Sequence, residues 1–101
     1  MKPKRIVSPK LRNSANGQEC TMQVVDVCNY RTDTTVLAHV QVDGGKMGGK
    51  TDDISACFCC AACHEWLDQY QGTEEERLFY TRRAIIRTQR IWVAERLMII
   101  K

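Results

Sequence analysis

No apolar run in this chain approaches the ~20 residues that a membrane-spanning helix needs. The start, Met1-Lys2-Pro3-Lys4-Arg5 followed by Ile6, Val7, Ser8 and Pro9, holds no apolar segment of the length a secretory signal requires. A membrane partner is thereby excluded, and a soluble cytoplasmic protein with reduced thiols is expected. Both prolines, Pro3 and Pro9, fall within the first nine residues, and acids are missing from residues 1–13, which carry Lys2, Lys4, Arg5, Lys10 and Arg12. Together with the cluster Asn13-Ser14-Ala15-Asn16-Gly17 these features read residues 1–17 as a basic flexible arm, with residues 18–101 forming one domain.

The net charge of +3 conceals an uneven distribution. The middle of the chain is acidic, while residues 74–101 set six arginines and Lys101 against Glu74, Glu75, Glu76 and Glu95. Basic ends suit a polyphosphate, and an acidic centre suits a bound divalent cation. At 101 residues and 11.6 kDa the core alone leaves a thin stability margin. Structural zinc, with apparent binding energies on the order of 10 kcal/mol or more, would supply the missing stabilisation.

What the chain does have is cysteine, six in all, and the run Cys60-Ala61-Ala62-Cys63-His64. Two residues between thiols let both sulfurs converge on one tetrahedral ion, with bonds of about 2.3 Å. Cys20 and Cys28, separated by a short segment with turn residues at its end, make the natural complement, so that Cys20, Cys28, Cys60 and Cys63 close a structural Zn²⁺ site. His64 could replace one cysteine in that shell, and Cys57 or Cys59 could compete for the ion; their poorer spacing reads them as buried small apolar side chains. The same five residues spell the attachment signal for c-type haem, and six cysteines could form three disulfides, but both readings need an oxidising compartment.

Met22 to Val27 and Thr34 to Val42 are rich in β-branched residues and read as strands, the second with alternation of Val36, Ala38 and Val40. Asp43 to Asp53, with four glycines, reads as a loop, and Ile54 to Phe58 as a short returning strand. Ala61 to Tyr70 fits a helix ended by Gly72. Thr73 then caps a second helix running to about Leu97, with Glu74–Glu76 in its first turn at capping-box spacing. Leu78/Phe79, Ile85/Ile86 and Trp92/Val93 recur every seven residues, an apolar stripe that either closes a monomer core or pairs two subunits as a homodimer. Trp66 and Trp92 read as core residues rather than stacking platforms. Arg83, Arg87 and Arg90 share a neighbouring face and could track a phosphate backbone, although solvated arginine faces are common on surface helices.

A strand-borne His39, a glycine-rich loop and a cysteine knuckle leading into a helix make a β-β-α series. With it the chain resembles the HNH, or His-Me finger, endonucleases, and within them the small prophage nucleases typified by YbcO. Cys20 and Cys28, the run Thr35-Val36-Leu37-Ala38-His39, the glycine-lysine loop and Ala61-Ala62-Cys63-His64-Glu65 carry the likeness, which spans about Ser14 to Trp92. The fold it implies is α+β, a small zinc-stapled ββα-metal finger with a long C-terminal helix.

The resemblance implies metal-dependent hydrolysis of phosphodiester bonds in DNA, with His39 as general base and His64 as ligand of a catalytic Mg²⁺ or another divalent ion. Asp68, one helical turn after His64, can share that ion. Many HNH enzymes carry an acid immediately before the first histidine, where this chain has Ala38. Asp52 and Asp53 lie near the family's central asparagine, and Asp53 is favoured to orient His39 through its ring N–H. The competing reading is a zinc module that binds nucleic acid or a partner protein without catalysis.

Overall fold

In the computed structural model the described residues are 5–40 and 52–100. The protein is small and mixed α/β. Helix α1 (Pro9–Asn13) is followed by a 3₁₀ turn at Thr32–Thr34, strands β1 (Val36–His39) and β2 (Ala56–Cys59), helix α2 (Ala61–Asp68) and the long helix α3 (Glu74–Ala94). The two strands are antiparallel, with Val36 opposite Cys59, Leu37 opposite Phe58, Ala38 opposite Cys57 and His39 opposite Ala56. The glycine-lysine loop falls between them and, apart from Asp52 and Asp53, lies outside the described residues.

Two strands of four residues are too little to stand alone in water, so both faces of the hairpin are covered. Paired residues of an antiparallel ladder share a face, and here the alternation sorts the core into two clusters. Ala38 and Cys57 pack with Cys20, Met22, Val24, Cys59, Cys60, Cys63, Trp66 and Ala84. Phe58 packs with Leu11, Ala15 and Trp92, with Leu37 and Ile54 at the margin. The Phe58 and Trp92 rings meet edge to face at 5.9 Å. Both tryptophans are core residues, as their sequence setting implies.

Helix α3 begins at the expected capping box. Thr73 Oγ1 accepts from Glu76 N at 3.0 Å, and Glu76 Oε1 accepts from Thr73 N at 2.8 Å. Its buried face follows the seven-residue stripe only in part: Trp92 is buried and Ile85 packs against the core, but Thr81, Ala84 and Thr88 turn inward while Leu78, Phe79, Ile86 and Val93 are exposed. Hydrogen bonding is the reason. Thr21 Oγ1 donates to the Phe58 carbonyl at 2.8 Å, so Thr88 Oγ1 donates to Thr21 Oγ1 at 3.0 Å and accepts from Phe58 N at 3.1 Å. This closed ring satisfies every polar group it contains in a water-free place, which a bulky apolar residue at position 88 could not do.

Other boundaries move as well. Met22–Val27 is not a strand: Gln23 and Asp26 adopt left-handed φ of 48° and 63°, curling the chain so that Cys20 and Cys28 approach one another. Met22 and Val24 still reach the core, which is what their apolar character demanded. Helix α2 stops at Asp68, two residues early, and α3 ends at Ala94, with Tyr70 and Arg96 taking left-handed φ just beyond the two ends. Residues 5–17, expected to form part of an arm, are docked. Ser8 caps α1 by accepting from Leu11 N, Leu11 and Ala15 are buried, and Trp92 Nε1 donates to Ser14 Oγ at 2.8 Å. A five-residue helix has little stability of its own; tertiary contacts hold it.

Candidate active site and metal centre

The sulfurs of Cys20, Cys28, Cys60 and Cys63 all lie within 4.8 Å of one another. Three of the four residues are fully buried and Cys28 is half-buried. Tetrahedral bonds of about 2.3 Å would set sulfurs about 3.8 Å apart, and Cys60 Sγ and Cys28 Sγ are 3.8 Å apart. Backbone N–H groups already point at two of the sulfurs: Cys60 Sγ accepts from Cys63 N at 3.4 Å, at the start of α2, and Cys20 Sγ accepts from Gln23 N at 3.5 Å. Four thiols so arranged fit a tetrahedral thiophilic ion, with two knuckles presenting thiolates.

The electrostatics of the cluster show why a cation suits it. Cys20 is pulled far below the ordinary thiol range by sulfur hydrogen bonds from Cys59 and Cys63, while those same bonds push Cys59 and Cys63 up. Burial pushes Cys28 up to about 11. A bound cation would favour the thiolate form of all four. Cys57 and Cys59 are fully buried side chains beside the quartet, with burial raising Cys57 to about 12. Both are buried as expected, although the Cys59 thiol also hydrogen-bonds, donating to Met22 Sδ at 3.4 Å.

A second site lies at the loop end of the hairpin. Asp53 has no side-chain exposure and gathers three partners on its carboxylate. Its Oδ1 lies 2.8 Å from His39 Nε2, its Oδ2 accepts from Ser8 N at 2.6 Å, and Arg12 Nε reaches both oxygens at 3.0 and 3.2 Å. Burial by itself would raise the Asp53 carboxyl, but the His39, Ser8 and Arg12 hydrogen bonds outweigh it and hold the group below the usual carboxylate range. A charged carboxylate offers no hydrogen, so Nε2 of His39 must carry one. A neutral ring then presents its lone pair at Nδ1. The His39 side chain is 35% exposed, so the ring reaches solvent from a rigid support.

That support is built from distant parts of the chain. Asp53 N donates to Ile6 O and Ile6 N donates to Asp52 Oδ1 at 2.6 Å, pinning residues 52–53 to the N-terminal segment. Gln89 Nε2 of α3 donates to Ile54 O at 2.9 Å.

His64 stands on the first turn of α2, with Nε2 3.5 Å from Asp68 Oδ2, and both side chains are substantially exposed. The helical spacing brings these two together as expected. Each histidine has its own acid, and among the described residues only the four cysteines gather three or more potential ligands within bonding reach of one ion. Ala38 of β1 is buried in the same core cluster as Cys63 and Trp66 of α2, and it offers no ligand.

The three candidate arginines of α3, Arg83, Arg87 and Arg90, divide. Arg83 Nη2 donates to Met22 O at 2.9 Å and stacks over Phe79 and Tyr80, and Arg87 Nη1 donates to Thr21 O and Gln23 Oε1 at 3.4 Å. These two fasten residues 21–23 to the helix. Arg90 is exposed and, with Arg87 and Glu19, lines a groove of about 620 Å³ beside Cys20. Ser8 and Arg12, which complete the Asp53 site from more than forty residues away, carry no local signal in the sequence beyond the basic character of the N-terminal stretch.

Fold and site together define a small mixed α/β domain with a four-cysteine cluster at one place and an acid-held histidine at another. Residues 9–96 match the family described as "Putative nuclease YbcO", and the chain belongs to that family. It is 36% identical over 90 residues to "Putative nuclease YbcO" of Escherichia coli (strain K12), covering 84% of this chain and 92% of that one. The same figures hold for "Putative nuclease ybcO" of Enterobacteria phage 82. A solved structure titled "Structure of a putative bacteriophage protein from Escherichia coli str. K-12 substr. MG1655" superposes with a TM-score of 0.73 at 30% identity, covering 86% of this chain and all of the other.

Proposed function

We propose that this protein is a metal-dependent DNA endonuclease of the HNH type, phage or prophage encoded, with a zinc-stapled ββα-metal finger. The observation that carries the reading is the Asp53–His39 pair, a buried carboxylate fixing the tautomer of a solvent-reaching imidazole. Cys20, Cys28, Cys60 and Cys63 would hold Zn²⁺ as a structural staple. His64 and Asp68 would hold Mg²⁺ or another divalent ion, which when bound neutralises charge on the scissile phosphate.

His39 takes the proton of the attacking water at Nδ1, while Asp53 steadies the imidazolium that results through Nε2. A positioned base of this kind contributes roughly 10²–10⁴-fold to rate. Exposed Arg90 contacts the DNA backbone, with Arg83 and Arg87 adding positive field from their pinned positions. The test is cleavage of supercoiled plasmid by zinc-loaded protein in Mg²⁺, Mn²⁺ or EDTA, with His39→Ala beside wild type and both checked by circular dichroism. Nicking that requires added metal and His39 supports the proposal.

Ala38, in the place where HNH enzymes often carry an acidic ligand, favours a second reading: a zinc module that binds DNA or a partner protein without cutting. Folded, DNA-binding protein that cleaves neither plasmid nor branched DNA under any cation would establish that reading instead.

A further inference from the structure

Arg12 uses its guanidinium in an unusual way. Arginine ordinarily meets a carboxylate with two nitrogens side by side, yet here Nε alone spans both Asp53 oxygens, at 3.0 and 3.2 Å. The whole Nη1–Nη2 fork makes no hydrogen bond among the described residues, and the side chain is 45% exposed. His39 Nε2 bonds the same Oδ1 that Arg12 Nε does, so the two nitrogens lie no farther apart than those two bonds laid end to end, about 6 Å. A fork of donors, held from behind by a buried acid and set beside the histidine, is shaped to take two phosphate oxygens.

We propose that Arg12 is a substrate-contacting residue of the His39 site, its Nη fork binding a phosphate of the DNA backbone while Nε stays on Asp53. This rests on the nuclease reading of that site and adds the docked helix α1 to it. Asp53 thereby sets two groups at once, the base and the phosphate clamp. A change in the N-terminal segment would be felt at both.

Arg12→Lys separates the clamp from the structural ion pair. A lysine ammonium can remain on Asp53 and keep the charge, but has no second edge to offer phosphate. Zinc-loaded wild type and Arg12→Lys are titrated with a short duplex oligonucleotide in Ca²⁺ in place of Mg²⁺, following fluorescence anisotropy, and thermal unfolding is measured on both. The expected result is an affinity about ten-fold weaker in Arg12→Lys with an unchanged melting point. Where wild type cleaves, KM should rise by a similar factor and the pH profile should keep its position. Equal affinity and equal KM would overturn the proposal, as would a loss of affinity that appears only with a lowered melting point. The readout is affinity, so it stands or falls separately from the His39→Ala cleavage test.

Discussion

Asp53 accepts the Nε2 hydrogen of His39 at 2.8 Å from a carboxylate that solvent does not reach. The two are fourteen positions apart in the chain. The Asp53 backbone is tied to Ile6, and its other oxygen takes the Ser8 N–H, so the orientation of the histidine depends on the N-terminal segment being docked.

Asp53→Asn should lower stability by about 2–3 kcal/mol, since it strips charge from bonds to Arg12, Ser8 and His39. The pH dependence has a definite sign. A carboxyl whose folded pKa is depressed contributes stability that is full above its unfolded value of about 3.9 and fades as pH falls through the lower folded value. Acid unfolding of wild type followed by circular dichroism should therefore show a loss below about pH 4 that is diminished in Asp53→Asn.

Metal content should be one ion per chain, and chelation at neutral pH should unfold the protein. Cys28→Ser and Cys63→Ser should abolish stoichiometric binding, whereas Cys57→Ala, lying outside the quartet, should retain it. Zinc released on thiol titration gives the count. The energy at stake is on the order of 10 kcal/mol, comparable with the whole stability of a small domain.

Thr88→Val keeps the shape of the side chain but opens the ring that joins α3, β2 and Thr21, leaving Phe58 N–H buried without an acceptor. The expected loss is about 1–3 kcal/mol. In a domain of this size each kcal/mol lowers the melting temperature by about 4–8 °C, so calorimetry will resolve it.

Gly72 has φ of 72°, and a Cβ there would sit 2.5 Å from Trp66 Cζ2 and 3.3 Å from Glu76 Oε1. Gly72→Ala should cost about 2 kcal/mol or more, because the rigid indole must move and the left-handed backbone is unfavourable to alanine. Urea denaturation measures the change, and the near-ultraviolet signal of Trp66 should shift with it.

Much of the fold was legible because its signals are local. The Thr73–Glu76 capping box, the helix starting at Ala61 and a strand within Thr34–Val42 each follow from neighbouring residues. The cysteine quartet was legible too, since spacing within each pair and the scarcity of other thiols in suitable places leave few combinations. The His64–Asp68 pair needed only the pitch of a helix.

The rest depended on contacts between distant segments. Met22–Val27 has the composition of a strand, but closing Cys20 onto Cys28 imposes a turn, and tertiary closure overrides propensity. The buried face of α3 follows Thr81, Ala84, Thr88 and Trp92 because Thr88 must bond Thr21 and Phe58, a requirement no helical period contains. The residues around Asp53 come from positions 8, 12, 39 and 53. Sequence by itself determined which residue types could bind a metal or move a proton and which helices would carry them. Only the tertiary structure decided that Arg12 and Ser8 meet His39 on one buried carboxylate, because a carboxylate withdrawn from water must find its donors wherever the folded chain brings them.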